Sequence, residues 1–469
     1  MTTMAPPSEG PQRATIVGGG PCGSLLAMFL LEAGFETDVY ELRDEEEVEK
    51  EGDQGGFGKA ASATKRSINF ALSHRGISAL QKLSLDGDIL AKSVEMHSRY
   101  LHLPDGSTAT QKYGKPGEAI YSVSRPNVVG LLEAAARKRG AVYHHGHKLV
   151  GLDEALRPKF ERPGGEGPPV TLESNGPLFG CDGAFSATRR FMERRGRFDT
   201  RVWYAKQGYK ELSIPADAKG GYVYPPNYLH IWPRGDTMLI ALPNTDGSFT
   251  STLFANCDEL EDMEQNWTRE AVAKWFRDNF GDAVDLMPTV VDDFYGNPTA
   301  PLVQLQVAPW HLGSKVLCLG DASHAVVPFY GQGMNAAFED CLVFSEILAE
   351  NRNDVAKTFE DMSGRRRRAA DALSVLATAN YEDMAHNTAS RLYRVKSAIE
   401  RALAGALPKL WTPLYSMVTF SRLPYDEVVA QHARQQAIVD RVAVAGSVFA
   451  IVLAAALARA AARLPLFAR

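Results

Sequence analysis

Apolar and polar residues near the start of the chain follow the pattern of a strand, a helix and a second strand. Residues 14–17 form a short apolar run that predicts a buried strand, and residues 24–33 have the spacing of a helix. A second short run, residues 37–40, predicts another strand. This order predicts the first unit of a parallel sheet covered by helices.

The pattern changes in the second half of the chain. Residues 222–254 contain several short β-runs separated by turn sequences at 225–227, 234–236 and 245–247, which predicts an antiparallel sheet. Residues 336–441 then have a mostly helical pattern. The chain therefore combines a parallel α/β part with an antiparallel sheet and a helical region.

Three segments have the composition of exposed chain. Residues 158–169 are rich in proline, glycine and charge, which predicts a surface excursion. The charge runs at 45–51 and 365–368 predict a solvated loop and a solvated helix face. None of the three indicates a function.

Composition is that of a large folded enzyme. A chain of 469 residues with 45% hydrophobic content predicts two or three domains, and a net charge of −5 gives no indication of nucleic-acid binding. The five cysteines are scattered and include no CxxC pair, so neither a zinc site nor a disulfide framework is predicted. Residues 1–13 lack an apolar core and an arginine-rich amphipathic pattern, so no targeting peptide is predicted there.

The carboxyl-terminal end differs from the rest of the chain. Residues 442–458 contain no charged residue and lie between Arg441 and the pair Arg459 and Arg463. A helix of this length is slightly short for a bilayer, but flanking arginines can extend to the lipid headgroups. A membrane anchor over 441–463 is therefore predicted, and a helix that is buried in the protein or lies on a surface is the alternative.

Two glycine signatures carry the chemistry. The first contains Gly18, Gly20 and Gly23, and it lies between the first predicted strand and helix. In a dinucleotide site these glycines permit the tight turn, the approach of a pyrophosphate to the helix N-terminus and close helix–strand packing. Glu41 ends the second predicted strand, where an acid binds a ribose hydroxyl.

The second signature starts at Gly320, about three hundred residues later. A short apolar run, 316–319, is followed by Asp321, and a proline turn then leads to a helix start near Gly333. Asp321 is predicted to bind a ribityl chain, and the helix amides to stabilise negative charge on a reduced flavin. A loop that merely joins strand to helix is the alternative. Together the two signatures predict FAD, with its pyrophosphate and ribityl held separately.

These motifs resemble those of the group A flavoprotein monooxygenases. The second signature continues through 331–336, and residues 181–186 with Arg189 resemble the family's middle Asp-Gly motif, so three motifs occur in order. The resemblance implies that NADPH reduces bound FAD and that a flavin C4a-hydroperoxide then transfers one oxygen atom from dioxygen to the substrate. No second glycine fingerprint for NADPH is present, so NADPH is expected to visit transiently. No general base and no metal are predicted.

The resemblance and the residue pattern together predict an α/β fold. A Rossmann-like FAD-binding domain would carry an inserted antiparallel-sheet substrate domain and a helical carboxyl-terminal region that ends in a membrane helix. The predicted boundaries are 1–200 and 301–350 for the two parts of the FAD-binding domain, 201–300 for the sheet, 351–440 for the helical region and 441–463 for the anchor.

Three further stretches, 66–76, 228–234 and 413–420, are similar to members of that family that hydroxylate an amino acid bearing an ortho-aminophenyl ketone. The similarity implies that Arg99 binds the substrate carboxylate, because arginine can grip a carboxylate through two parallel hydrogen bonds. It also implies two further sets of substrate contacts. The hydrogen-bonding partners are Tyr113, Asn380 and Tyr415. The ring contacts are Leu229, Ile240, Leu242, Phe254, Pro328, Phe329 and Tyr330.

The same similarity implies cofactor contacts beyond the glycines. These are Glu41, Arg43, Ala71, Arg125, Leu149, Asp321, Met334 and Asn335. Two departures from the family pattern are a long acidic, glycine-rich stretch between Glu41 and Ser67, predicted to be a surface loop, and Tyr330, where a phenylalanine or histidine is common. Neither removes a proposed contact.

Location and function have alternatives at this point. The resemblance implies the mitochondrial outer membrane, with the catalytic part facing the cytosol. A flavin hydroxylase or epoxidase of another aromatic or lipid substrate is the second hypothesis. A flavin-binding membrane adaptor without catalytic activity is the third.

Overall fold

The computed structural model describes residues 12–45, 69–115, 117–165, 167–173, 176–382, 384, 403–407, 411–439 and 441. The predicted surface loop between Glu41 and Ser67 lies almost wholly outside these ranges, and the predicted membrane segment 442–458 lies outside them entirely. Across the described ranges, no helix combines the length and apolar character needed to cross a membrane. The prediction of an anchor therefore stays a prediction.

Nineteen strands are present in the described residues. They are β1 (Arg13–Val17), β2 (Glu36–Tyr40), β3 (Phe70–Leu72), β4 (Ser93–Met96), β5 (Ser98–His102), β6 (Thr108–Lys112), β7 (Ile120–Val123), β8 (Val142–His144), β9 (Lys148–Leu152), β10 (Pro158–Glu161), β11 (Val170–Thr171), β12 (Leu178–Gly180), β13 (Asp199–Ile214), β14 (Tyr228–Arg234), β15 (Thr237–Pro243), β16 (Phe249–Asn256), β17 (Ala300–Ala308), β18 (His311–Leu312) and β19 (Val316–Cys318).

The helices fall between and after these strands. They are α1 (Pro21–Glu32), α2 (His74–Lys82), α3 (Asp86–Leu90), α4 (Arg125–Lys138), α5 (Ala187–Glu193), α6 (Cys257–Asn266), α7 (Arg269–Val284), α8 (Val290–Gly296), α9 (Asp321–His324), α10 (Gly333–Glu350), α11 (Val355–Glu382) and α12 (Leu414–Thr419), with a further helix, α13, over 425–439. A 3-10 turn covers Pro328–Tyr330.

The first sheet has the predicted parallel α/β arrangement. Its strand order is β18-β19-β12-β1-β2-β8, and all its pairings are parallel except the one at the β18 edge. Strand β1 lies between β12 and β2, and α1 follows β1 directly. Both glycine signatures therefore follow the carboxyl ends of strands in one sheet, where open α/β sheets bind their ligands.

The second sheet has seven strands in the order β17-β13-β16-β15-β14-β5-β6. Strands β14, β15 and β16 pair antiparallel, which confirms the antiparallel sheet predicted over 222–254. The sheet extends beyond the interval 201–300, because β17 joins one side and β5 and β6 join the other. Strand β5 is parallel to β14, so a strand from early in the chain completes this sheet.

The two faces of the second sheet have separate cores, because successive side chains of a strand point to opposite faces. One face packs Ile231, Met238 and Phe254 against the 3-10 turn and α11. The other face packs residues such as Trp232 and Leu253 against α6, α7 and α8. The first face therefore lies toward the second glycine signature and is the one that can contribute to a site beside a flavin.

The prediction of a surface excursion over 158–169 is wrong for its first four residues. Strand β10 pairs with β9 and β11 in a small sheet, and Phe160 is buried and stacks on Tyr40 at 4.2 Å between ring centroids. Proline and glycine in this segment suggested exposed chain, but the two apolar side chains of β10 pack inward. The small sheet thus covers the end of β2, next to Glu41.

Candidate active site

The turn after β1 forms a cradle in front of helix α1. Gly18 has a φ of +101°, and a Cβ there would lie 2.4 Å from the Cys181 carbonyl oxygen. A Cβ on Gly23 would lie 1.9 Å from the Gly18 carbonyl oxygen. A Cβ on Gly20 would meet no atom within 4 Å, and no side chain caps α1. The space beside Gly20 at the amino terminus of α1 is therefore open, which suits a pyrophosphate.

This difference predicts opposite effects for two conservative substitutions. Gly20→Ala should leave the flavin-free protein as stable as the parent, but should weaken FAD binding by about tenfold or more, because the added methyl enters the space in front of the helix. Gly23→Ala should lower the stability of the flavin-free protein itself, because its methyl meets backbone. Denaturant unfolding and FAD titration measure the two effects. Unchanged FAD affinity in Gly20→Ala would rule out this position for the pyrophosphate.

Glu41 directly follows β2, beside the cradle, and is almost fully buried. Its carboxylate accepts hydrogen bonds from the Gly19 amide at 2.7 Å and from the Arg43 amide and Nε at 3.0 and 2.8 Å. Burial alone would raise the pKa of Glu41, but Arg43 and the amide donors outweigh it and lower the pKa. The carboxylate is thus ionised and fixed, and it can accept hydrogen bonds from a ribose.

Asp321 and Arg125 supply opposite charges on another side of the cradle. Asp321 begins α9 directly after the second signature's Gly320, and its side chain is exposed although protein surrounds it. Burial raises the pKa of Asp321, and the positive charges of His324 and then Arg125 oppose that rise. Arg125 is also exposed and begins α4. The exposed carboxylate of Asp321 and the exposed cation of Arg125 are groups that fit a polar chain and a phosphate.

These groups fit FAD taken as a whole. Helix amides can hold its pyrophosphate, Glu41 a ribose, Asp321 the ribityl chain and Arg125 a phosphate. These groups come from four separate places in the chain: α1, the end of β2, α4 and α9. The chain thus presents what an extended dinucleotide requires.

The predicted carboxylate clamp lies on the face of the second sheet toward this cradle. Arg99 is buried on β5, with its guanidinium carbon 5.0 Å from the ring centroid of Tyr415 and 5.8 Å from that of Tyr113. The two tyrosine rings stack at 5.1 Å. Burial raises the pKa of both hydroxyls, so they stay neutral at physiological pH. The structure therefore brings three of the four predicted polar residues together.

An apolar wall continues from these tyrosines. Leu229 pairs directly with Arg99 across β14 and β5, and Leu229 and Ile240 pack against both of the neighbouring apolar clusters. Leu242 lies in the cluster that contains Tyr113, and Phe254 contacts Phe329 at 5.1 Å between centroids. The Tyr330 ring stacks on Tyr415 at 5.6 Å. Half-buried Pro328 starts the 3-10 turn that carries Phe329 and Tyr330.

The contacts of Asn380 differ from those of Arg99, Tyr113 and Tyr415. It is buried on α11, and its Nδ2 donates a hydrogen bond of 2.7 Å to the Phe329 carbonyl oxygen. That bond fixes the 3-10 turn against α11. The structure thus gives Asn380 a positioning role for the turn, and direct contact with a substrate stays a prediction.

Comparison with known proteins supports the same assignment of fold and cofactor. Residues 12–374 match the family model described as an FAD binding domain. A solved structure of the tetrameric form of 2-methyl-3-hydroxypyridine-5-carboxylic acid oxygenase, 20% identical, aligns with a TM-score of 0.63 over 86% of this chain and 99% of its own. Another, P. aeruginosa PqsL in complex with 2-aminobenzoylacetate, is 15% identical and aligns with a TM-score of 0.63 over 83% and 99%. Both show the shared fold.

Sequence relatives are more specific. Kynurenine 3-monooxygenase of Flavobacterium psychrophilum is 37% identical over 92% of this chain and 93% of its own length. The enzymes of Salinispora tropica and Sus scrofa are 38% and 36% identical, over 96% and 91% of this chain and 97% and 87% of theirs. The chain belongs to the kynurenine 3-monooxygenase family. It is therefore an FAD-dependent monooxygenase, and the prediction of FAD from the two glycine signatures is confirmed.

The other predicted cofactor contacts of this kynurenine 3-monooxygenase family member differ in their burial and hydrogen bonding. Half-buried Ala71 and Met334 lie near the start of α10, where a Cβ on Gly331 would touch Ala71. Leu149 is on β9 and is buried in an apolar cluster. The Asn335 side chain is buried and accepts from the Ser73 amide while it donates to the Ala71 and Gly331 carbonyls, each at 2.8 Å. Its side chain thus orders the turn, and direct contact of Asn335 with the cofactor stays a prediction.

A buried ionic network that was not predicted underlies the second signature. Asp340 on α10 pairs with His324 and accepts from Arg366 at 2.8 and 2.9 Å. Arg366 also contacts Glu339 at 3.0 Å, and Glu339 accepts two hydrogen bonds from Arg75 at 2.8 and 2.9 Å. All five side chains are almost fully buried. The network fixes the turn between Gly320 and His324 against α10.

The prediction that 365–368 form a solvated helix face is wrong for Arg366. Arg365 is exposed and pairs with Glu350, but Arg366 points into the protein. The run of four arginines concealed this, because charge alone does not show which face of a helix is buried. Helical spacing could have found it, since Arg366 lies on the same side of α11 as the buried Ala369, Ala370 and Leu373.

The His324–Asp340 pair predicts a pH dependence. Burial would lower the pKa of His324, but Asp340 outweighs it and raises the pKa above 6.5. The stability that His324 contributes is thus present below pH 6.5 and is lost as pH rises through the folded-state pKa. The pKa of Asp340 is lowered, because His324 and Arg366 outweigh burial, so its contribution is lost only as pH falls below 3.8.

The free-energy difference between the parent and His324→Gln should therefore be largest near pH 5–6 and should shrink toward alkaline pH. Denaturant unfolding of both proteins from pH 5 to alkaline pH measures this free-energy difference. His311 provides the matched control, because burial lowers its pKa and its replacement should show the opposite trend. A His324→Gln difference that grows with pH would contradict the assigned charge of this pair.

Proposed function

We propose that the chain catalyses the NADPH-driven 3-hydroxylation of L-kynurenine to 3-hydroxy-L-kynurenine with dioxygen, a step of tryptophan degradation. The single observation that supports this substrate best is the buried Arg99 against the stacked Tyr113 and Tyr415 rings, at one end of an apolar wall. L-Kynurenine has a carboxylate at one end and an aminophenyl ring at the other. The named relatives at 36–38% identity act on the same compound by their names.

In the proposed complex each end of the substrate meets a matching surface. Arg99 binds the α-carboxylate through two parallel hydrogen bonds, and Tyr113 and Tyr415 offer hydroxyls to the polar tail. The ring lies along Leu229, Ile240, Leu242 and Phe254, next to the turn that carries Phe329 and Tyr330. The chain then contributes position and exclusion of water, because oxygen transfer to a ring requires correct orientation more than a strong base.

FAD, when it is bound and reduced by NADPH, supplies the oxygen-transferring chemistry. The residues of the chain supply its surroundings. The amides of α1, Glu41, Arg125 and Asp321 bind the cofactor's polar groups, and the amino terminus of α10 can stabilise negative charge on a reduced ring. Asn335 and the His324–Asp340 pair hold the intervening turns in place.

The first experiment is NADPH oxidation by the FAD-bound protein with and without L-kynurenine, with mass spectrometry of the product. Faster oxidation with one oxygen atom added to the substrate supports the proposal. Faster oxidation that yields only hydrogen peroxide means that the ligand binds but another aromatic or lipid substrate is the natural one. No acceleration rejects L-kynurenine as the substrate.

We also propose that residues 442–458 anchor the protein in a membrane, with the mitochondrial outer membrane as the site and the catalytic part in the cytosol. The support is the absence of charge over these residues and the arginines on both sides. A protein that ends at residue 441 should stop co-floating with lipid vesicles and should keep its flavin. Equal flotation of the two proteins would reject the anchor.

A further inference from the structure

Three thiols meet beneath the flavin cradle. The Cys22 Sγ lies 3.9 Å from the Cys181 Sγ and 3.8 Å from the Cys341 Sγ. The three residues come from different elements: Cys22 is in the first turn of α1, Cys181 follows β12, and Cys341 lies on α10. A Cβ on Gly320 would lie 3.1 Å from the Cys22 Sγ, so the cluster also borders the second signature.

The three thiols differ in exposure and in acidity. Cys181 and Cys341 are buried, whereas Cys22 is half-buried. Hydrogen bonds from Cys181 and then Cys341 lower the pKa of Cys22 to about 6, against burial and the carboxylates of Asp340 and Asp321, which raise it. The amino terminus of the twelve-residue α1 also favours a thiolate. The pKa values of Cys181 and Cys341 are raised well above the ordinary value, with Cys22 and burial as the main causes.

A metal site does not explain the cluster. Among the residues that the structure describes, no group of three or more histidine, cysteine, aspartate or glutamate side chains is arranged to hold a metal ion. One accessible thiolate in contact with two protonated thiols is instead the arrangement of a reactive cysteine with resolving partners.

We propose that Cys22 is a peroxide-oxidised cysteine that forms a disulfide with Cys181 or Cys341. In the first step the Cys22 thiolate attacks hydrogen peroxide, the O–O bond breaks, an S–O bond forms and hydroxide leaves. In the second step the neighbouring thiol attacks the Cys22 sulfur as its proton leaves, the S–S bond forms and the oxygen departs as water. The two cysteines lose two electrons in total, and one peroxide is reduced to one water and one hydroxide, which takes up a proton from the solvent.

The oxidant is available at this site, because a flavoprotein monooxygenase releases hydrogen peroxide whenever its reduced flavin reacts with oxygen without transfer to a substrate. Sulfur atoms at 3.8–3.9 Å are in van der Waals contact, so each pair is already adjacent and has to approach to about 2.05 Å to bond. The inference is independent of which aromatic compound the enzyme hydroxylates.

The test treats the full-length protein with hydrogen peroxide, both with FAD bound and after FAD is removed, so that shielding by the cofactor does not hide the reaction. Free thiols are then blocked, and peptides are mapped by mass spectrometry without reduction. We expect a Cys22 peptide joined to a Cys181 or Cys341 peptide, and a loss of two of the five free thiols. The absence of a Cys22-linked peptide in both forms would overturn the proposal.

Variants separate this reaction from general oxidation. Cys22→Ser should slow thiol loss by about tenfold or more. Cys257→Ser should leave the disulfide unchanged, because Cys257 is on α6, which packs against the second sheet. A Cys181→Ser/Cys341→Ser double variant should accumulate a sulfenic acid at Cys22 that dimedone traps. Equal rates of thiol loss in Cys22→Ser and the parent would also reject the proposal.

Discussion

Arg99→Ala should raise the KM for L-kynurenine by about 30-fold to 1,000-fold, while FAD content stays at the level of the parent. Loss of a buried charged partner costs a carboxylate about 2–4 kcal/mol, which corresponds to that range. The flavin should be retained because Arg99 lies on the second sheet, whereas the pyrophosphate cradle follows β1 in the first. Steady-state kinetics with a count of bound flavin measures both.

Two controls make this prediction specific to the carboxylate. Arg99→Lys keeps the charge but cannot form two parallel hydrogen bonds, so its KM should lie between those of the parent and Arg99→Ala. The decarboxylated amine analogue of kynurenine should discriminate little between parent and variant, because it has no group for Arg99 to bind. An unchanged KM for L-kynurenine in Arg99→Ala would reject the clamp.

Arg75→Met should lower the free energy of unfolding by about 3–5 kcal/mol, the usual cost of removing one partner from a buried ion pair. Arg75 is completely buried, donates to Glu339 and to the Val418 carbonyl, and lies 3.9 Å from the ring centroid of Tyr425. Its loss should also loosen the segment that carries Tyr415, so KM should rise. Denaturant unfolding and kinetics on the same FAD-bound sample test both effects.

Arg422 is the matched control for Arg75. It approaches the same Glu339 at 3.9 Å and pairs with Glu346 at 3.0 Å, but its side chain is 35% exposed. Removal of an exposed pair changes stability by about 0–1 kcal/mol, so Arg422→Met should be close to the parent. If both substitutions had the same small effect, the buried network would not be a source of stability.

The cofactor side of the site was predictable because its signals are local. Gly18, Gly20, Gly23 and Glu41 lie within one strand–helix–strand unit, and their spacing follows from the turn that a pyrophosphate needs. Both predicted strands and the helix between them are present within a few residues of the expected positions. The run before the second signature forms β19, and a new helix begins at Gly333 as expected.

The buried network was not predictable in the same way. Arg75 and Glu339 are 264 positions apart, and neither has a sequence neighbour that indicates a buried partner. Their pairing depends on how α2 packs against α10, and that contact exists only in three dimensions. Arg366 was misassigned for a different reason: the run of arginines was interpreted from charge alone, although helical spacing places Arg366 on the buried side of α11.

The substrate side falls between these cases. The short β-runs and turn sequences over 222–254 predicted a sheet but could not show that β5 would join it as a parallel strand. Only resemblance placed Arg99 beside the tyrosines. Asn380 had the right residue type for a ligand contact, yet its Nδ2 is directed at the Phe329 carbonyl, and no pattern in the sequence indicates that preference.

Strand β5 also limits how this enzyme could be recombined with its relatives. It belongs to the chain before β13 but forms part of the seven-stranded sheet, together with β6. A chimera that exchanged only 201–300 would pair a foreign sheet edge with the native Arg99 strand, and it would also leave β17 behind. Transfer of substrate preference should therefore require the exchange of two segments at once, 98–112 and 199–308. Exchange of one segment alone should not transfer it.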